Sequence, residues 1–143
     1  MTTTDPSPAI AAPEGLLDPN VRLTWPMLVP AVVLIAIYTM LSYIGFFDQA
    51  SFYDSMDIPV PSNEFLLYSW AGKNTAVLLG LVIATVTRLR VLVLTAIAML
   101  VTMQMGDVNA GAQSGVNVFV TWIAFALTVA QLAIVVIGAR RTA

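Results

Sequence analysis

A chain of 143 residues that is 59% hydrophobic and 10% charged, with a mean hydropathy of +0.87, has too little charge to keep the surface of a soluble domain wet, which takes about a quarter of the residues. It has no cysteine and no histidine, which excludes disulfides and thiolate metal sites and removes the usual haem ligands and the commonest general base. The net charge of −2, with no basic cluster, gives no reason to expect a nucleic-acid partner. One compact membrane unit is the class that remains.

Residues 1–22 read as a disordered cytoplasmic tail. Met1 to Asn20 carry Thr2, Thr3, Thr4, Pro6, Pro8, Pro13, Pro19 and scattered acids, with too little apolar surface to fold. No positive charge precedes Arg22, so the first apolar segment is expected to be a retained anchor rather than a cleaved signal. From Leu23 to Phe47 there is no charge over 25 residues, and about 20 suffice to span the hydrocarbon core. Pro26 and Pro30 fit the first turns of that helix, whose span is set at about 26–47. The connection from Asp48 to Glu64 is aromatic and half-apolar, with Phe46, Phe47, Phe52, Tyr53 and Met56 suited to the headgroup layer. Pro59-Val60-Pro61 stiffens the approach to the next helix, and Ser62 is a reasonable N-cap for it.

The second span is expected over about 65–86, the third over 89–106 and the fourth over 116–138. Thr87-Arg88-Leu89-Arg90 marks a tight turn at the membrane surface between the second and third. Only 16 charge-free residues separate Arg90 from Asp107, which makes the third span the shortest. Residues 23–139 thus form an all-α integral membrane domain of four transmembrane helices in an antiparallel bundle, followed by a basic end, 140–143. With four spans, Arg22, Arg88, Arg90, Arg140 and Arg141 fall on one side and Asp48, Asp54, Asp57, Glu64 and Asp107 on the other. The positive-inside rule makes the arginine side cytoplasmic. Both termini are then cytoplasmic and the protein is a multi-pass protein of the cell membrane. Trp25, Tyr43, Tyr68, Trp70 and Trp122 lie near span ends, where interfacial aromatic residues belong.

An ion in lipid costs at least about 2.5–3.5 kcal/mol on insertion scales, so Lys73, well inside the second span, carries the most information. At the helical rise of about 1.5 Å per residue, Lys73 stands roughly 22 Å from the arginine turn, Gln104 roughly 21 Å and Asp107 roughly 26 Å. Tyr38 stands roughly 24 Å beyond Arg22. Lys73, Asn74, Gln104, Asp107 and Tyr38, with Asn109 at the edge, are therefore expected to share a layer in the outer half of the bundle. Thr121 and Trp122 come close to it. Lys73 can pair with Asp107 or snorkel to the headgroups and merely fix the docking of the helices. Alternatively the cluster lines a polar cavity that binds a ligand or relays protons, or a partner protein supplies the counter-charge.

Gly72, Ala76, Gly80 and Ala84 recur every four residues on the second helix, and small residues so spaced allow close helix approach. The expectation is an internal seam, with a dimer contact as the alternative. Ala126 and Ala130 form a shorter version, and Gln131 is expected to be interhelical glue. Asp107-Val108-Asn109-Ala110-Gly111 resembles the opening of a calcium loop but lacks the closing glutamate. With Gln113, Ser114 and Gly115 it reads as a flexible external loop. No phosphate loop, dinucleotide fingerprint or nucleophile elbow is present, and neither a metal nor a cofactor is expected.

Gly72-Lys73-Asn74 early in the second helix, Arg88 to Arg90 at the turn and Met105-Gly106-Asp107 at the end of the third resemble the small bacterial four-helix membrane proteins grouped as DoxX-like and related domains of unknown function. The resemblance covers about residues 25–139 and implies a fold more than a chemistry. Three roles are open. The first is a small non-catalytic protein of the bilayer that binds a hydrophobic ligand through the polar cluster. The second is an accessory subunit of a respiratory or transport complex, or a homodimer. The third is a membrane enzyme acting on lipid or quinone, with Lys73, Asp107 and Tyr38 as acid–base groups. A transporter ranks behind these, since four spans would have to dimerise to enclose a path.

Overall fold

The computed structural model describes residues 18–56, 64–114 and 119–141. Most of the N-terminal tail, the Pro59-Val60-Pro61 stretch, Ser62, Gly115 and Val116 lie outside the described residues. The architecture is an all-α bundle of four long apolar helices. A 3-10 turn, Trp25–Leu28, leads into α1, Val29–Phe47; a short α2, Gln49–Met56, follows; then α3, Glu64–Thr87, α4, Arg90–Ser114, and α5, Phe119–Arg141. α1 with its 3-10 turn, α3, α4 and α5 are each long and apolar enough to cross a membrane.

Proline decides how α1 begins. Pro26 sits at the start of the 3-10 turn and Pro30 at the start of α1, where a missing N–H costs nothing. At the other end Asp48 closes α1 and caps α2, since its Oδ1 accepts a hydrogen bond from the Ser51 N–H at 3.3 Å. α2 was not evident in the sequence, because its eight residues carry no apolar face long enough to declare a helix.

The arginine turn is built as anticipated, and it also receives the chain from outside the bundle. Arg88 takes φ 58°, a left-handed conformation that ends α3 and lets α4 start two residues later. The segment before α1 then lies against this turn. The Leu23 N–H donates to the Arg88 carbonyl at 2.8 Å, and the Arg90 N–H donates to the Val21 carbonyl at 2.9 Å. This two-residue antiparallel bridge brings Arg22, Arg88 and Arg90 to one end of the bundle. Arg88 stacks over the Trp25 ring at 5.3 Å, and Arg90 is buried.

The helices run as a ring in which α1 touches α3 and α5, and α4 touches α3 and α5. Each points one stripe inward: Ala31, Leu34, Tyr38, Ser42 and Gly45 on α1; Ala71, Asn74, Val77, Leu81, Ala84 and Thr85 on α3; Val93, Ile97, Leu100 and Gln104 on α4; Ala124, Thr128, Gln131 and Val135 on α5. Toward the arginines the core is Leu23, Leu28, Ala84, Val93, Ile97 and Val135. Beyond it come Leu34, Tyr38, Val77, Leu81, Leu100 and Ala124. The outside is as apolar as the inside, with Val29, Val32, Leu79, Ile83, Val86, Met99, Ile123 and Ile137 exposed. Several buried positions are polar instead. That inversion is what a lipid solvent permits and water does not.

Two expectations are corrected. The third span does not end by Gly106: α4 continues through the supposed loop to Ser114. Its acid, Asp107, is paired with Lys73, and Gln113 Nε2 donates to Asn109 Oδ1 at 3.3 Å along the same helix. These partners, together with Ala110 and Ala112, support two further turns. The 25-residue helix is about 38 Å long, which removes the apparent shortness.

The second correction concerns the seam. Gly72, Ala76 and Gly80 are exposed, and only Ala84 of that stripe is buried. A side chain added at Gly72 or Gly80 would meet nothing within 4 Å. At about 100° per residue, a step of four turns the helix by roughly 40° beyond a full circle. Three steps rotate the stripe by roughly 120°, so only its last member reaches the interior. The close approach is made one residue away. A Cβ at Gly45 of α1 would lie 2.9 Å from the Ala71 Cβ and 3.1 Å from the Trp70 ring, so α1 and α3 meet there because Gly45 has no side chain.

Candidate functional site

The end of the bundle away from the arginines carries the polar side chains singled out in the sequence, divided between an inner and an outer pair. Outside, Lys73 Nζ donates to Asp107 Oδ1 at 2.6 Å across the α3–α4 gap. The side chains remain 39% and 30% exposed. The helical rise brings the two groups nearly level, with Asp107 about 4 Å farther along than Lys73, and the lysine stem makes up the difference.

Inside, Gln104 Nε2 donates to the Tyr38 hydroxyl at 3.3 Å, joining α4 to α1. Both side chains are almost fully buried. The hydroxyl can both donate and accept, so it suits an amide in either sense. Gln104 Oε1 and the nearby Ser42 Oγ have no partner among the described residues. Asn74 is buried too, but its amide turns back to the Trp70 carbonyl of its own helix at 3.1 Å. Among the described residues no hydrogen bond connects the inner pair to the outer pair. Asn109 is exposed and held by Gln113, and among the described residues Thr121 and Trp122 contribute no hydrogen bond to the layer.

Several threonine hydroxyls are satisfied within their own helix, whereas the buried Thr85 Oγ1 has no partner among the described residues. Thr39, Thr75, Thr87, Thr95, Thr102 and Thr128 each donate to the carbonyl four residues earlier, which removes an unpaired hydroxyl from an apolar setting. Gln131 Nε2 donates to the Met27 carbonyl at 3.0 Å, joining α5 to the proline-interrupted start of α1, where a carbonyl is left over.

Below the outer ion pair, toward the middle of the bundle, α3 and α4 separate. The gap is an open groove of about 620 Å³, lined by Lys73, Ala76, Val77, Ala98, Met99, Thr102 and Met103. Small residues and flexible thioethers make its walls, and Thr102 hides its hydroxyl against the Ala98 carbonyl at 3.0 Å. Only Lys73 offers a charged group. Asp107, one turn past Met103, stands just beyond the same end. The volume falls in the usual range for small-molecule sites, about 300–1,000 Å³. The groove was not legible in the sequence, because Ala98, Met99, Thr102 and Met103 look like any other lipid-facing turn. Their spacing of one, three and four residues, on the face of α4 below Asp107, is the signal that could have suggested it.

Among the described residues no group of three or more His, Cys, Asp or Glu could hold a metal ion. Comparison of the chain with family models, with curated proteins and with solved structures finds no match. The likeness to DoxX-like proteins therefore rests on its short motifs alone. The chain is a small all-helical membrane protein.

Proposed function

We propose that this protein is a non-catalytic membrane protein that holds an amphipathic ligand, with an apolar chain in the α3–α4 groove and a polar head at Lys73 and Asp107. The observation that carries this reading is the coincidence of the two features. An apolar groove open to lipid ends where the membrane-embedded surface presents a charged pair, Lys73 and Asp107. A non-catalytic role is favoured because, among the described residues, the inner Tyr38–Gln104 pair and the outer Lys73–Asp107 pair are not joined by hydrogen bonds. The acid–base groups an enzyme would use are divided between two places. The arginine end is assigned to the cytoplasm, since Arg22, Arg88 and Arg90 gather there and positive charge is retained inside. The ligand head then faces the opposite leaflet.

The test is the mass of the protein released from mild detergent, for the wild type and for Ala98→Phe, which fills the groove. A bound amphiphile on the wild type and its loss from the variant, with helix content unchanged, is the expected result. Retention on both places the ligand elsewhere and sinks the reading.

A second reading is an accessory subunit or homodimer, favoured by the exposed Gly72, Ala76 and Gly80. Beside them nothing lies within 4 Å of a Cβ added at either glycine, and another helix could approach closely. Ala76 belongs to this face and to the groove, so a helix seated there would displace the ligand. The same mass measurement separates the two, because a partner or second copy adds thousands of daltons and an amphiphile hundreds.

A further inference from the structure

The head of the ligand can be specified further on the basis of the proposed groove. Asp107 neutralises Lys73 at 2.6 Å, so the pair as a whole has no net charge to attract an anion. Each member nevertheless keeps unused capacity. The ammonium has three donors and the carboxylate about four acceptor positions, and a single hydrogen bond between them is all that the described residues supply. Both side chains are about one-third exposed. Two Lys73 donors and the second Asp107 oxygen are thus available at the end of the groove. A head that fits them must carry an anionic acceptor and, a few ångströms away, a cationic donor.

We propose that the site takes a zwitterionic phospholipid with a primary ammonium, a phosphoethanolamine head, from the leaflet opposite the arginines. Its phosphate accepts from Lys73, and its ammonium donates to Asp107. Four charges then alternate around a square, so every neighbour is of opposite sign and the protein pair need not open. One acyl chain descends between Ala76 and Val77 on one wall and Ala98, Met99 and Met103 on the other, toward the middle of the bilayer. The groove lies below the ion pair on the side of the hydrocarbon core. Its lower end, at Ala98, is roughly 12 Å from the arginine turn, and its upper end, at Lys73, roughly 22 Å. A choline head has the same charges but no N–H to offer Asp107, and a glycerol head has no cation at all.

The experiment places the intact protein in mixed vesicles of phosphatidylethanolamine, phosphatidylcholine and phosphatidylglycerol with identical acyl chains, and reads the lipid retained on release by mass. Ethanolamine lipid is expected to exceed glycerol lipid by about tenfold, the factor of one charge-assisted hydrogen bond, with choline lipid between them. In Asp107→Asn the unneutralised Lys73 should reverse the order in favour of glycerol lipid. In Lys73→Gln/Asp107→Asn, which keeps no charge, all three should be retained alike. Soluble phosphoethanolamine in excess should not compete, because the chain supplies the hold.

Equal retention of the three lipids by the wild type overturns the head assignment and leaves the groove reading standing. Preference for glycerol lipid does the same. Absence of retained lipid of any class overturns both. Competition by soluble phosphoethanolamine overturns the lipid as source. The wild-type comparison decides the matter even if the single variant fails to fold.

Discussion

The two flanks of α3 are made of similar residues and behave in opposite ways. On one flank Gly45 and Ala71 bring α1 and α3 so close that a single added carbon would stand 2.9 Å from its neighbour. On the other, α3 and α4 leave a groove of about 620 Å³ and meet across its upper end through the ion pair of Lys73 and Asp107. Small residues occur on both flanks. What separates them is what the facing helix presents: α1 offers Gly45 against Ala71, whereas α4 sets Ala98 among the bulkier Met99, Thr102 and Met103. In lipid there is no hydrophobic drive between helices, so packing and polar contacts alone decide where helices close and where they stay apart.

Substitution of Gly45 should have the largest effect. Gly45→Leu drives a side chain into Ala71 and Trp70, and backbone-attached atoms cannot give way as the end of a flexible chain can. Overpacking costs about 1–3 kcal/mol and occasionally more, so a fall in unfolding free energy of at least that size is expected in detergent titrations. An unchanged midpoint would mean that α1 and α3 are not in register at this level.

Next comes the ion pair. Lys73→Met strands Asp107 inside the membrane domain. The loss should fall between that of a surface pair and that of a buried pair, about 1–3 kcal/mol. Lys73→Met combined with Asp107→Leu should recover most of it, because the expensive state is one charge without the other. If the double variant is the less stable of the two, the pair contributes net stability and the α3–α4 flank is closed by it rather than merely bridged.

The smallest effect belongs to the outward stripe. Gly72→Ala and Gly80→Ala add a methyl to open space and remove a helix-weakening glycine, so stability should stay the same or rise by up to about 1 kcal/mol. Either change should leave the mass of the particle unaltered. Loss of a higher-mass species in the variants would identify this face as a protein contact and favour the accessory-subunit reading over the groove.

Much of the plan can be read from residue order. Four long apolar stretches, of which only the second carries a charge (Lys73), separated by arginines or acids, require four helices, because no other open structure satisfies its own backbone in lipid. The division of charge between the two ends follows from the same count. The level of Lys73, Gln104, Asp107 and Tyr38 along the bundle is also legible, since rise per residue converts sequence position into depth. Rotation about each helix axis is not legible in the same way. A helix that is apolar all round has no polar face to tell inside from outside, and an interval of four residues drifts around it. Hence the Gly72 stripe, expected inside, lies outside, and the single polar layer divides into an inner Tyr38–Gln104 pair and an outer Lys73–Asp107 pair. α4 also runs two turns farther than its charge pattern suggests, because the acid that looks like a terminus in the sequence has its partner on another helix. The sequence by itself determined the number of spans, the distribution of charge and the depth of the polar residues. Which faces meet, and the groove left where they do not, were decided by the tertiary structure, because that choice depends on the shape of the neighbour and not on the polarity of the helix.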